Sequence, residues 1–163
     1  MPGLEDLYRE IILDHYRSPR NRGELAAPPA HRTEGFNPLC GDEVVVFVQL
    51  EDGTLADIRI GGQGCSISQS SASLMSAAVK GRPLSEVRDL IRTFKAMMSI
   101  HEARLGEPGE GDGDDEVVVV DVEALGELAA LQGVVKFPVR IKCATLSWNT
   151  LAQGIDEVEA GTA

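Results

Sequence analysis

The sequence predicts an α+β fold: a small antiparallel three-stranded sheet with helices packed on one face. Two patterns point there. Residues 43–50 are rich in Val and Phe. Residues 55–60 alternate, with Ile58 and Ile60 to one side and Asp57 and Arg59 to the other, the period of a half-buried strand. Between the two runs, Glu51-Asp52-Gly53-Thr54 puts Asp-Gly at the centre of a hairpin turn. Before and after this hairpin, apolar residues recur at helical spacing.

Taken in order, Leu4, Leu7, Tyr8, Ile11, Ile12 and Tyr16 define an amphipathic N-terminal helix that Pro19 ends, with a turn at Asn21-Arg22-Gly23. His15, within this helix, reads as a surface or half-buried residue and not as a ligand. Arg17, Arg20 and Arg22 form a cationic patch, either a docking patch for an acidic partner or a solvated helix end with cations well placed near its C-terminus. Residues 26–30 are a Pro-rich connector, and residues 31–36 are read as the third strand. Gly61-Gly62-Gln63-Gly64 breaks the strand before it, and Cys65 opens the next helix, whose buried stripe is Ile67, Leu74, Met75, Ala78 and Val79. Its serines and alanines make it slim enough for close packing, and Gly81-Arg82-Pro83 stops it. The glycine run lacks the Gly-Lys-Ser/Thr ending of a phosphate loop and any dinucleotide fingerprint, so nucleotide binding is rejected. Leu84, Val87, Leu90, Ile91, Phe94, Met97, Met98 and His101 form the next helix, with Ser85 as N-cap and His101 partly buried near its end. Val122, Leu125, Leu128 and Ala129 suggest a short helix. Pro138 fits the first turn of the last helix, whose stripe is Ile141, Ala144, Trp148, Leu151, Ala152 and Ile155.

The 163 residues suffice for one domain, residues 1–163, with a real core. Within it, residues 106–116 carry Glu107, Glu110, Asp112, Asp114, Asp115 and Glu116 with no basic residue, and read as a mobile acidic loop without the ligand spacing of an EF-hand. A net charge of -11 argues against nucleic acid or an anionic membrane as partner, since both need a positive field. No apolar run approaches the ~20 residues that span a bilayer. The N-terminus has neither a basic region nor an apolar signal core, which predicts a cytoplasmic protein.

The three cysteines, Cys40, Cys65 and Cys143, are odd in number and widely spaced, so they are not read as a disulfide framework. Buried structural thiols or a metal or reactive-thiol site remain. In Asn37-Pro38-Leu39-Cys40-Gly41-Asp42, a thiol and a carboxylate stand two positions apart, and in extended backbone they share a side. Cys65 sits at a helix N-terminus, and Cys143 in a first helical turn beside Arg140 and Lys142; both surroundings favour a thiolate. If these element ends converge, Cys40, Asp42, Cys65 and Cys143 supply three sulfurs and an oxygen, a tetrahedral zinc set. Spacing alone leaves open a loop with a buried cysteine, because Asn-Pro and Gly-Asp are also ordinary turn chemistry.

Several motifs in order resemble the SufU branch of the IscU/NifU superfamily, which acts in iron–sulfur cluster biogenesis. They are Leu7-Tyr8-Arg9 through Asp14-His15-Tyr16, Pro19-Arg20-Asn21-Arg22-Gly23, the Cys40 motif, Gly64-Cys65-Ser66-Ile67-Ser68 and Arg140-Ile141-Lys142-Cys143-Ala144-Thr145-Leu146. The resemblance spans nearly the whole chain and implies a SufE/IscU-like fold. Scaffold-type IscU proteins carry a His immediately before the third cysteine, where this chain has Lys142; that residue and the longer acidic connection resemble SufU. The resemblance implies a zinc-dependent sulfur acceptor that works with a SufS-type cysteine desulfurase and passes sulfur to downstream iron–sulfur assembly proteins. It also implies that Cys40, Asp42, Cys65 and Cys143 are the zinc ligands, Cys40 the persulfide acceptor, and Arg140 the residue that steadies the freed thiolate. Whether such a carrier counts as an enzyme, a sulfurtransferase, is left open.

The chemistry is consistent. A free cysteine, with a pKa of about 8.5, is a poor nucleophile near neutral pH, and a bound metal holds it as thiolate. Two other functions stay open. The same four residues could hold a nascent, transient iron–sulfur cluster, since soft thiolates suit both. Alternatively, zinc could serve only the structure of an interaction module.

Overall fold

A computed structural model of the chain describes residues 4–26, 30–38, 41–105, 126–136 and 138–160. The acidic stretch 106–116, Cys40, and Val122 and Leu125 of the expected short helix lie outside these residues, as does the side chain of His101. Strands β1 (His31–Asn37), β2 (Asp42–Glu51) and β3 (Thr54–Gln63) form an antiparallel sheet in the order β1-β2-β3. Helix α1 (Leu4–Arg17) precedes the sheet; α2 (Ser66–Val79), α3 (Leu84–Leu105), a 3-10 helix (Gly126–Lys136) and α4 (Pro138–Ala160) follow it. The α+β architecture read from the sequence is the one observed.

The hairpin turn is the type that Asp-Gly favours: Asp52 has φ 50° and Gly53 φ 76°. On the inner face of the sheet, Val44, Val46, Val48, Leu55, Ile58 and Ile60 are buried against Met75, Phe94, Leu131, Trp148 and Leu151 of the helical layer. The outer face carries Phe36, which is exposed, and Phe47, which is buried between its cross-strand neighbours Arg32 and Arg59. The Arg32 guanidinium lies 6.0 Å from the Phe47 ring centre.

The direction of α4 positions the later chemistry. Gly154 lies against Thr33, Thr150 and Leu146 lie against Gly35, and Cys143 lies against Asn37. The helix thus runs antiparallel along β1. Eleven helical residues rise about 16 Å and four strand residues about 13 Å, so the two ladders stay nearly in step. Gly35 permits the contact, because a Cβ there would lie 2.0 Å from the Thr150 hydroxyl oxygen. As a result, the second turn of α4, which carries Cys143, arrives at the end of β1.

Four local expectations change. The glycine run does not break β3, which continues through Gly61, Gly62 and Gln63 opposite Val45, Val44 and Glu43. Gly62 holds this pairing at φ 110°, where a Cβ would lie 2.2 Å from the Glu43 carbonyl oxygen. Ser85 is not the N-cap of α3: the helix starts at Leu84, and the Pro83 carbonyl accepts from Glu86 and Val87 N–H. Instead of a short α-helix, the described part of residues 122–129 opens the 3-10 helix, where Leu128 and Ala129 are buried. In α1, Tyr16 is exposed, whereas His15 is only 3% exposed.

His15 is buried because α2 offers it a partner. Its Nδ1 is 2.7 Å from the Ser73 hydroxyl, which also accepts the Arg20 backbone N–H at 2.8 Å. On the other side, its Nε2 is 3.5 Å from a Glu127 carboxylate oxygen. Burial, with the Arg20 charge nearby, holds the His15 pKa below its usual 6.5, against the opposing pull of Glu127 and Asp14. Just below that value the unfolded chain therefore binds more protons than the folded one, and stability falls as pH falls through this window. His15→Asn is expected to flatten the slope of stability against pH there, a slope limited to about 1.4 kcal/mol per pH unit for one proton. Urea midpoints of both proteins across the window measure it; parallel curves would show that His15 is not the group responsible.

Candidate metal centre

Three chain elements end at one point. Asp42 opens β2, its side chain on the inner face beside Asn37, its partner across the β1–β2 pair. Cys65 follows the end of β3 and is the N-cap of α2. Cys143 is delivered by α4. One ligand atom from each of Asp42, Cys65 and Cys143 lies within 4.8 Å of the others. Asp42 and Cys143 are fully buried and Cys65 is partly exposed, so the cluster is open on the Cys65 side.

The sequence builds this cluster locally. A Cβ at Gly64 would come 2.5 Å from Asp42 Oδ1, so glycine is what admits the carboxylate to the start of α2. Asp42 Oδ1 then accepts the Cys65 backbone N–H at 2.9 Å. Asp42 Oδ2 takes the Asn37 amide at 3.4 Å, and the same nitrogen is 3.7 Å from Cys143 Sγ. Cys65 Sγ accepts the Ser68 backbone N–H at 3.5 Å. Sulfur is a weak acceptor, and serine or aspartate would cap the helix better.

Of the residues singled out from the sequence, Asp42, Cys65 and Cys143 converge. Cys40 lies outside the described residues; Gly41, which follows it in the sequence, donates its N–H to the Asn37 carbonyl at 2.9 Å. Arg140 and Lys142 are exposed on the first turns of α4, without an ion-pair partner among the described residues. Two contributors escaped the sequence reading: Asn37, which looked like turn chemistry before proline, and Ser68, whose backbone rather than side chain takes part.

The donor set fits zinc. Bonds of about 2.0–2.3 Å in a tetrahedron keep ligand atoms roughly 3.3–3.8 Å apart, inside the 4.8 Å spread of these three. Two thiols with one carboxylate match the softness that zinc and iron–sulfur sites select.

Known proteins resemble this chain in sequence and fold. The sequence profile of the NifU-like N terminal domain family matches residues 7–144. A zinc-dependent sulfurtransferase SufU of Bacillus subtilis is 39% identical over 97% of this chain and 95% of its own. An iron–sulfur cluster assembly scaffold protein IscU of Streptococcus pyogenes is 35% identical over 93% of this chain and 84% of its own. Among solved structures, a candidate iron–sulfur cluster assembly scaffold protein for the SUF system from Fervidobacterium islandicum AW-1 superposes with a TM-score of 0.74 at 27% identity, over 94% of this chain and 99% of that one. Shared from the first helix to the turn that delivers Cys143, the match is to the whole arrangement and not to one motif, and the chain belongs to the NifU-like N-terminal domain family of the IscU/NifU superfamily.

Proposed function

We propose that this chain acts in iron–sulfur cluster assembly as a zinc-dependent sulfur acceptor, taking persulfide sulfur from a cysteine desulfurase. The carrying observation is the meeting of Asp42, Cys65 and Cys143 at three element ends, open on one side. In this reading Cys40, Asp42, Cys65 and Cys143 hold zinc, Cys40 is the acceptor, and the whole chain works as one cytoplasmic domain. Bound there, zinc would keep its cysteines as thiolates at neutral pH. The Cys40 thiolate attacks the outer sulfur of the desulfurase persulfide. A new S–S bond forms on Cys40, the S–S bond of the donor breaks, and its electron pair leaves on the desulfurase cysteine as thiolate. No external oxidant or reductant is needed. Arg140, exposed and unpaired among the described residues, is free to steady the Cys40 sulfur anion. The Bacillus relative's name supports this reading.

A second reading, a scaffold for a nascent cluster, is favoured by the name of the Streptococcus relative and by the same donor set. Lys142 weighs against it: a lysine ammonium has no lone pair for a metal, and this side chain is exposed.

The test is sulfur transfer from a cysteine desulfurase to the zinc-loaded chain, followed by intact mass and peptide mapping. One sulfur gained on Cys40, with faster desulfurase turnover, is the expected result. Zinc bound with no sulfur gained on any cysteine would leave only a structural zinc module. A chromophoric cluster that forms with iron and is passed on intact would establish the scaffold instead.

A further inference from the structure

We infer that Asn37 is a positioning residue of the metal centre: its single carboxamide holds Asp42 and Cys143 together as two of the ligands. The inference rests on the zinc reading above but not on the sulfur-transfer step. Asn37 is 6% exposed and ends β1, directly across the strand pair from Asp42. Its backbone carbonyl is tied by the Gly41 N–H at 2.9 Å, so the direction of its side chain is set by the sheet and the turn together. The amide nitrogen carries two hydrogens and faces two acceptors, Asp42 Oδ2 at 3.4 Å and Cys143 Sγ at 3.7 Å.

The other described donors to the three ligands are backbone N–H groups, of Cys65 to Asp42 and of Ser68 to Cys65. Cys143 comes from α4, the element most distant in sequence from Asp42, and among the described contacts the Asn37 side chain bridges the two. A carboxylate ligand is oriented by such outer contacts, and an N–H donated to a thiolate draws charge from the sulfur. One amide serving both makes the position of Asp42 and the electron density on Cys143 depend on the same residue.

The experiment compares the wild-type chain with Asn37→Leu, which keeps the shape and removes both N–H groups, and with Asn37→Ala. Far-UV circular dichroism of the metal-free proteins checks that each folds. Zinc affinity is read by competition with a chromophoric chelator, and cobalt(II) is substituted to read the thiolate-to-metal charge-transfer band. The expected result is zinc binding weakened about 10- to 100-fold at unchanged stoichiometry, with the cobalt band moved to longer wavelength because the Cys143 sulfur has lost an N–H donor. Wild-type affinity and an unmoved band in the folded variants would overturn the inference and leave the zinc reading intact. Weaker binding with an unmoved band would also overturn it, because a role in packing alone would suffice. A wild-type chain that binds no zinc would remove the zinc reading itself, and the inference with it.

Discussion

Trp148→Ala is expected to cost about 3–5 kcal/mol of folding stability, a large part of the 5–15 kcal/mol that holds a typical domain. Trp148 is fully buried, and its ring stacks on Phe94 with centroids 4.3 Å apart and planes 12° from parallel. Its indole N–H donates to the Ser71 hydroxyl at 3.1 Å, and that hydroxyl donates to the Ala144 carbonyl at 2.5 Å. The substitution therefore opens a cavity where α2, α3 and α4 meet and removes the donor that Ser71 receives. Trp148→Phe, which keeps an aromatic face against Phe94 and loses the N–H, should cost clearly less. Because this is the single tryptophan of the chain, its removal also removes the fluorescence probe, so urea unfolding followed by circular dichroism is the measurement. A loss below about 1.5 kcal/mol would mean that the neighbouring helices collapse into the space. The consequence would reach the metal centre, since α4 is the element that brings Cys143 to Asn37.

The sequence made this layer legible where the pattern was local. Alternation over residues 55–60, the Asp52-Gly53 turn and the stripe from Ile141 to Ile155 each depend on neighbours a few positions away, and each stands in the structure as read. What failed depended on distant partners. The glycines after Ile60 look like a stop, yet Gly62 is where β3 must pass the Glu43 backbone. His15 reads as a surface or half-buried residue on its own helix, and its burial depends on partners as far away as Ser73, 58 positions on. The metal centre divides along the same line. That Asp42 stands just before a strand, Cys65 opens a helix and Cys143 lies early in another was visible in one dimension; that these places meet depends on Gly35 under α4 and Gly64 beside Asp42, two glycines whose spacing in sequence carries no sign of it.

Cys40→Ala should abolish sulfur uptake altogether, while Asp42→Ala should weaken zinc and leave an acceptor thiol behind. The two variants separate the nucleophile from the machinery that prepares it. With Cys40 removed, no thiolate at that position can attack the donor persulfide, and transfer measured by intact mass should fall to background even when the remaining ligands still hold some zinc. With Asp42 removed, Cys65 N–H loses its acceptor at 2.9 Å and the Asn37 amide loses its contact to the carboxylate, so the thiols remain without the oxygen donor beside them. Residual transfer in Asp42→Ala should then rise with added zinc, since occupancy and not the attacking sulfur is what it lacks; in Cys40→Ala added zinc should change nothing. Sulfur appearing on Cys65 or Cys143 at the wild-type rate in Cys40→Ala would reassign the acceptor. Of those two, Cys65 is the one the geometry allows, because it is partly exposed while Cys143 is fully buried.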